Sequence, residues 1–492
     1  MEFTSLIFLF LFLPLFLLLF FLLRKTAHNS FLLMASLLFY AWGEKEYVLL
    51  LLVSIVVNYV LGLLIDKTDG RPLKKTFFVV AVVFNVGLLI YFKYTNFLLD
   101  NIHVASNRIH LPIGISFFTF QALSYIVDIY RKTVPNDRNP VNFGLYMALF
   151  PKLITGPITP YHNLSKQIRN REIRLDDFAE GVKRFIIGLG KKVIIADTLA
   201  RTANQIFAIP AAQQTAGLAW LGIISYTLQI YFDFSGYTDM AVGIGRMCGF
   251  KFLENFNYPY ISKSIKEFWT RWHISLAQWL RDYLFLPIAY AVLRKIKADR
   301  LLRIKAEDWA YYISAFSTFL LCGIWHGAAW TFFVWGAFYG VLLIAEHAGF
   351  RKFLKRKVKL PIVSILYTQL MVIIAWVFFR SESLAYAFQY IKAMFGFGGG
   401  DGVEYYTALY LNPEVVVFLV LGIIGSLPFF PKMKELFEKQ KHRLEKAGGK
   451  ISLRLLSTGY TVLYTVFFTF ILLISIMYIS GGTYNPFIYF RF

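Results

Sequence analysis

Two of the eight histidines in this 492-residue chain lie inside apolar stretches, His273 in Trp269-Thr270-Arg271-Trp272-His273-Ile274-Ser275 and His326 in Gly323-Ile324-Trp325-His326-Gly327. An ionisable group at membrane depth costs roughly 2.5 kcal/mol or more, so such a residue marks a functional site by default. A neutral imidazole in a low-dielectric setting takes a proton from a hydroxyl and later returns it, which is what acyl transfer to an alcohol needs. The same residues also fit a plainer reading, a buried histidine satisfied by a carbonyl. Two carboxylates, Asp233 and Asp239, sit in the apolar stretch Tyr231–Met240. Either could orient a histidine or pair with an arginine such as Arg246 or Arg271, and their six-residue spacing keeps them off one helical face. The other histidines, His28, His103, His110, His162, His347 and His442, stand in polar or loop-edge contexts and take no role. Cys248 and Cys322 have no metal-ligand spacing and read as small buried hydrophobes, so no metal site is expected.

The elements that must carry these groups are membrane helices. With 57% hydrophobic residues, 51 phenylalanines and a mean hydropathy of +0.55, the chain has more apolar surface than a soluble domain of its length buries. Apolar runs begin with residues 3–23, which lack a preceding positive charge and a following cleavage site and so read as a retained helix, not a signal peptide. Others fall at about 30–42, 47–65, 77–91, 111–130, 217–234, 309–325, 328–345, 361–379, 415–430 and 456–479. Roughly ten to twelve spans are expected at about 20 residues each. Residues 140–160, broken by four prolines and two glycines, predict a bent or re-entrant segment lining a cavity. Residues 264–283 repeat apolar side chains at steps of three and four, with three tryptophans on the stripe, and predict one amphipathic helix along the membrane interface with His273 on its polar side.

The formal net charge of +22 would suggest nucleic acid in a soluble protein. Here the basic residues cluster in loops, at 24–25, 67–75, 131–138, 294–305, 351–359 and 432–454, as the positive-inside rule expects of cytoplasmic loops, and no groove-reading motif accompanies them. The N-terminus is then outside. Gly188-Leu189-Gly190-Lys191-Lys192 lacks P-loop spacing and reads as a helix with a basic cytoplasmic end. With no internal repeat or separable soluble segment in view, residues 1–492 read as a single transmembrane domain.

A series of ordered motifs then becomes specific: Leu111-Pro112-Ile113-Gly114-Ile115-Ser116-Phe117-Phe118-Thr119-Phe120-Gln121, Gly156-Pro157, residues 231–240, Asn255-Phe256-Asn257-Tyr258-Pro259-Tyr260, residues 268–276, Arg281-Asp282-Tyr283, Trp325-His326-Gly327 and the ending Pro486-Phe487-Ile488-Tyr489-Phe490. The series resembles the membrane-bound O-acyltransferase family, and within it the membrane subunits of bacterial alginate O-acetyltransferases. The resemblance implies an all-α polytopic fold, a ring of about ten to twelve transmembrane helices around a thinned centre with interfacial and re-entrant helices, and a cytoplasmic funnel for the acyl donor. It makes His326 the catalytic residue at the narrow point and His273 its partner, with Trp325, Asp233, Asp239, Arg271, Ser275, Arg281 and Asp282 as substrate or tunnel support. It further implies a plasma-membrane enzyme with no bound cofactor, acetyl-CoA as donor, an exported polysaccharide as acceptor and an extracytoplasmic SGNH-like acetyltransferase as partner. Relatives often carry a short glycine-rich loop after the Arg-Asp-Tyr motif, whereas residues 284–305 form a longer basic stretch here. Two other readings remain open: D-alanyl transfer to teichoic acid within the same family, and a transporter or polysaccharide conduit, since broken helices and midplane polar groups serve translocation equally well.

Overall fold

The computed structural model describes residues 1–104, 108–296, 298–353, 360–446 and 450–482. The closing motif at 486–490 and the basic residues 354–359 lie outside the described residues. Every apolar run folds as helix, the only spanning structure besides a closed barrel that satisfies its own backbone in lipid. Among the described residues the only strands are a two-residue hairpin pairing Arg300–Leu301 with Ile304–Lys305. Residues 284–305 are therefore not a plain loop but that hairpin preceded by the helix Leu286–Lys295.

Among the described residues five helices are each long and apolar enough to cross a membrane: Tyr47–Lys67, Leu73–Asn101, Trp330–Phe353, Pro361–Arg380 and Thr458–Ser480. The pair Pro413–Gly425 and Phe429–Arg443, bent by 57°, makes a sixth. The other apolar runs give helices that are shorter or more polar. Phe8–Leu22 and Ile115–Tyr130 are short. Ala216–Met247, at 32 residues, carries Asp233, Asp239 and Arg246 and is buried along nearly its whole length, so protein and not lipid surrounds it.

That helix is the centre of the molecule. Leu175–Gly190 lies against it backbone to backbone: a Cβ on Gly181 would stand 2.6 Å from the carbonyl oxygen of Gly243, and one on Gly188 would stand 2.5 Å from that of Gly236. Small residues admit this close crossing, the usual device where burial from water cannot drive helices together. The chain then bulges over Lys191–Ala196 and delivers two lysines to the central helix. Lys192 bonds Asp197 at 2.6 Å and Asp233 at 3.0 Å, while Lys191 bonds Asp239 at 2.7 Å. Arg184 bonds Asp239 as well and reaches Glu254. The basic end expected at Lys191-Lys192 is thus an interior ion cluster. Buried charges persist only when paired in this way.

The segment 140–160 is bent, as expected: a helix Pro140–Ala148, a break at Leu149, a single turn Phe150–Leu153 and an irregular run to Pro160, with residues 143–161 buried. The expectation for 264–283 fails. Instead of one interfacial helix there are two short ones, Ile265–Trp269 and Ile274–Leu280, separated by a break at Thr270–His273. Trp269, Trp272 and Trp279 are all buried, so the stripe faces the protein core and not the lipid headgroups.

Candidate functional site

His326 is the last residue of the helix Ala306–His326, which turns through Gly327-Ala328-Ala329 into Trp330–Ala345. The two arms nearly touch at Gly323 and Gly336, where a Cβ on Gly323 would meet the Phe332 carbonyl oxygen at 2.3 Å. This crossing sets Trp335 beside the histidine. The last four carbonyls of any helix lack partners within it, and here all four are met. Gly327 N–H donates to Gly323 O at 3.4 Å, Tyr94 O–H to Ile324 O at 2.7 Å, and the Lys93 ammonium to Trp325 O at 2.5 Å and His326 O at 3.0 Å. Lys93 and Tyr94 come from a π-helical turn at Ile90–Tyr94, a bulge that often accompanies functional sites. A cation at a helix C-terminus is also favoured by the helix dipole.

The imidazole of His326 meets three aromatic rings edge-on: Trp325 at 4.8 Å between centroids, Trp335 at 5.0 Å and Phe379 at 5.2 Å. The residue is 4% exposed, so it faces neither lipid nor open solvent. Trp325 stacks on Phe120 at 4.9 Å, and Phe120 stacks on Trp279 at 3.9 Å, with Tyr283 beyond at 5.1 Å. This aromatic column ends at a polar cluster where Asp128 accepts from Tyr283 O–H at 2.9 Å and from the His162 ring at 3.0 Å. That hydrogen bond holds the His162 pKa above its ordinary value.

His273 is positioned by a short antiparallel pairing. Asn257 N–H donates to Arg271 O at 2.9 Å and Ile274 N–H to Asn255 O at 3.0 Å, around the bridge between Phe256 and Trp272. His273 itself is left-handed, with φ 45° and ψ 52°, a conformation that costs a non-glycine residue roughly 1 kcal/mol or more and persists where its surroundings impose it. Its Nδ1 lies 3.0 Å from Asn255 Oδ1, which also accepts from Ser275 N–H at 3.2 Å and Ser275 Oγ at 2.9 Å. A backbone N–H can only donate, so that amide atom is an oxygen and His273 Nδ1 carries the proton. Nε2 is then the basic nitrogen, buried and without a partner among the described residues. Ser275 Oγ in turn accepts Ile158 N–H at 3.0 Å, tying the bent segment to this site. His273 is fully buried against Phe234.

The structure thus sets Trp325 against His326, and His273 and Ser275 on a shared Asn255 acceptor. Asp233 and Asp239 go elsewhere: they anchor lysines and Arg184 in the ion cluster, not Arg246 or Arg271. Arg271 bonds Glu267 and the Asn257 carbonyl, bracing the turn that holds His273. Arg281 and Asp282 pair with each other at 2.8 Å on an exposed edge. Three residues escaped the sequence reading as site members, namely Asn255, Lys93 and Trp335. Lys93 had left a signal, a lone lysine among aromatic residues in Tyr91-Phe92-Lys93-Tyr94. Among the described residues no group of three metal-ligating side chains occurs. A cavity of about 200 Å³ lies apart from both histidines, between Glu2, Tyr40, Glu44, Ile113 and Ile154.

A basic nitrogen with a fixed tautomer, a second buried imidazole and a dry aromatic wall can together move a proton to and from a hydroxyl. Comparison with known proteins points the same way. The sequence model of the membrane-bound O-acyltransferase family matches residues 36–388. The chain is 42% identical over 445 residues to a probable alginate O-acetylase of Pseudomonas aeruginosa, covering 87% of this chain and 82% of that protein. It is 38% identical to a probable alginate O-acetylase of Azotobacter vinelandii over the full length of both. A peptidoglycan O-acetyltransferase of Helicobacter pylori is 32% identical, with 86% of this chain and 88% of that protein covered.

Proposed function

The chain belongs to the membrane-bound O-acyltransferase family and is a multi-pass membrane acyltransferase, and from that premise we propose that it moves acetyl groups from cytosolic acetyl-CoA towards an exported polysaccharide. The acceptor class follows from the relatives, whose names specify O-acetylation of alginate or peptidoglycan and which align along most or all of the chain. The observation that carries the reading is His326 buried among three aromatic rings, with His273 buried as well and its tautomer fixed by Asn255.

In this reading His326 acts as general base. The acceptor oxygen bonds to the thioester carbonyl carbon as its proton passes to the imidazole, the carbon–sulfur bond breaks, and the proton returns to the departing thiolate. His273, its tautomer set by Asn255, supports His326 as a positioning residue. Trp325, Trp335 and Phe379 wall the ring. The product passes to a polysaccharide with the help of an extracytoplasmic SGNH-like acetyltransferase.

The test is the ester content of the exported polymer. Cells lacking the gene and complemented with the parental protein should carry acetyl esters on that polymer, and cells complemented with His326→Ala should not. Alanyl esters in place of acetyl would move the donor to a D-alanyl carrier thioester. Glycan transport by the purified protein in liposomes without any acyl donor would favour a conduit.

A further inference from the structure

The two tryptophans that touch His326 share a property that bears on the chemistry. Trp325 is 6% exposed and Trp335 is 1% exposed, and the indole N–H of each is buried with no hydrogen-bond partner among the described residues. Buried donors are nearly always met, and an unmet one in a native structure calls for an explanation. The indole N–H groups of Trp269 and Trp376, whose rings pack on Trp335, are unmet as well, whereas Trp279 N–H donates to Phe120 O at 3.1 Å, Trp220 N–H to Met394 O at 2.9 Å and Trp330 N–H to Asn101 at 3.2 Å.

The Trp325 and Trp335 donors belong to rings within 5.0 Å of the His326 imidazole, inclined to it by 65° and 80°. Neither ring is free to turn in search of a partner. Trp325 is clamped by Phe120 on its face, with its own carbonyl held by Lys93. Trp335 is wedged among Trp269, Tyr339 and Phe379.

We propose that the indole N–H groups of Trp325 and Trp335 are the donors that stabilise the carbonyl oxygen of the acyl group during transfer. The inference rests on His326 acting as the base. When the hydroxyl oxygen bonds to the thioester carbon and its proton passes to His326, the carbonyl electron pair moves onto oxygen. The negative charge forms next to the base, against these two rings. It returns to the carbonyl as the carbon–sulfur bond breaks. Donors held in a dry site before charge develops need no reorganisation, which is why they act on the rate more than on binding.

The test replaces Trp335 and Trp325 singly by phenylalanine and by 3-benzothienylalanine, which keeps the indole shape but has sulfur in place of the N–H. Membrane vesicles carrying the full-length protein with its native partners and polymer are supplied with radiolabelled acetyl-CoA. Label in the polymer per unit of protein then gives kcat and the KM for acetyl-CoA. Each replacement should lower kcat by roughly 10²-fold, with KM changed by less than about threefold. The thermal midpoint of the benzothienylalanine forms should not fall, because shape is kept and no hydrogen bond is lost, whereas the phenylalanine forms also carry the cost of a cavity. Trp279→Phe is the contrast: it removes the indole hydrogen bond to the Phe120 carbonyl and should lower the midpoint by more than the cavity alone. Parental kcat in the benzothienylalanine forms of both residues would overturn the proposal. So would kcat losses that merely follow loss of folded protein. If those forms are fully active while His326→Ala is dead, the donor assignment fails and the base assignment stands. If His326→Ala is active, both fail.

Discussion

Replacing Asn255 by leucine, which has nearly the same shape but no acceptor, should undo the His273 site in a way that can be measured as coupling. Asn255 Oδ1 accepts from His273 Nδ1, Ser275 N–H and Ser275 Oγ. The serine hydroxyl can rotate to another acceptor, but the imidazole N–H and the backbone N–H cannot, and both are buried. Each buried donor left unmet costs about 1–3 kcal/mol, so Asn255→Leu should destabilise the protein by about 2–6 kcal/mol. In a double variant with His273→Leu the imidazole donor no longer exists, and its share of the cost disappears. The double variant should therefore be more stable than the sum of the single effects by about 1–3 kcal/mol. Equilibrium unfolding by SDS in mixed micelles, on the parent, both single variants and the double, yields the coupling directly. Additivity within about 0.5 kcal/mol would refute the assigned tautomer and, with it, a lone pair on Nε2 directed at the reaction.

Two further outcomes follow from the same geometry. Lys93→Met strands two carbonyls at the end of the His326 helix and Tyr94→Phe strands one, so thermal midpoint and acetyl transfer should both fall further for Lys93→Met, and the reverse order would contradict the capping account. Asp128 holds the His162 pKa above its ordinary value of about 6.5, so the folded state favours the imidazolium. The stability from this pair is complete below about pH 6.5 and is lost as pH rises through the raised folded value. Thermal midpoints measured from about pH 6 to about pH 8.5 should fall more steeply for the parent than for His162→Gln, and equal slopes would remove the pair from the stability account.

Helices and the two histidines were legible because hydropathy and residue type act locally: an apolar run folds as helix whatever its neighbours, and an imidazole between Trp325 and Gly327 stands out by chemistry alone. The bend at 140–160 was legible for the same reason, in its prolines. What was hidden depends on partners distant in sequence. The apolar period of three and four runs unbroken through 264–283, yet pairing of 271–274 with 255–257 outweighs it and forces His273 left-handed. The charge partners of Asp233 and Asp239 are lysines more than forty residues away, delivered by a π-bulge. Lys93 caps a helix 232 residues further on. Apolar composition alone does not separate a helix surrounded by lipid from one surrounded by protein, as Ala216–Met247 demonstrates.

The most direct measurement of the central claim is acetyl transfer by His326→Ala at matched protein level, in vesicles supplied with labelled acetyl-CoA, with folding checked by the thermal midpoint. A general base contributes about 10²–10⁴ in rate, so label in the polymer should drop by at least about a hundredfold while the protein stays folded. Transfer at the parental rate by a folded His326→Ala protein would contradict the account.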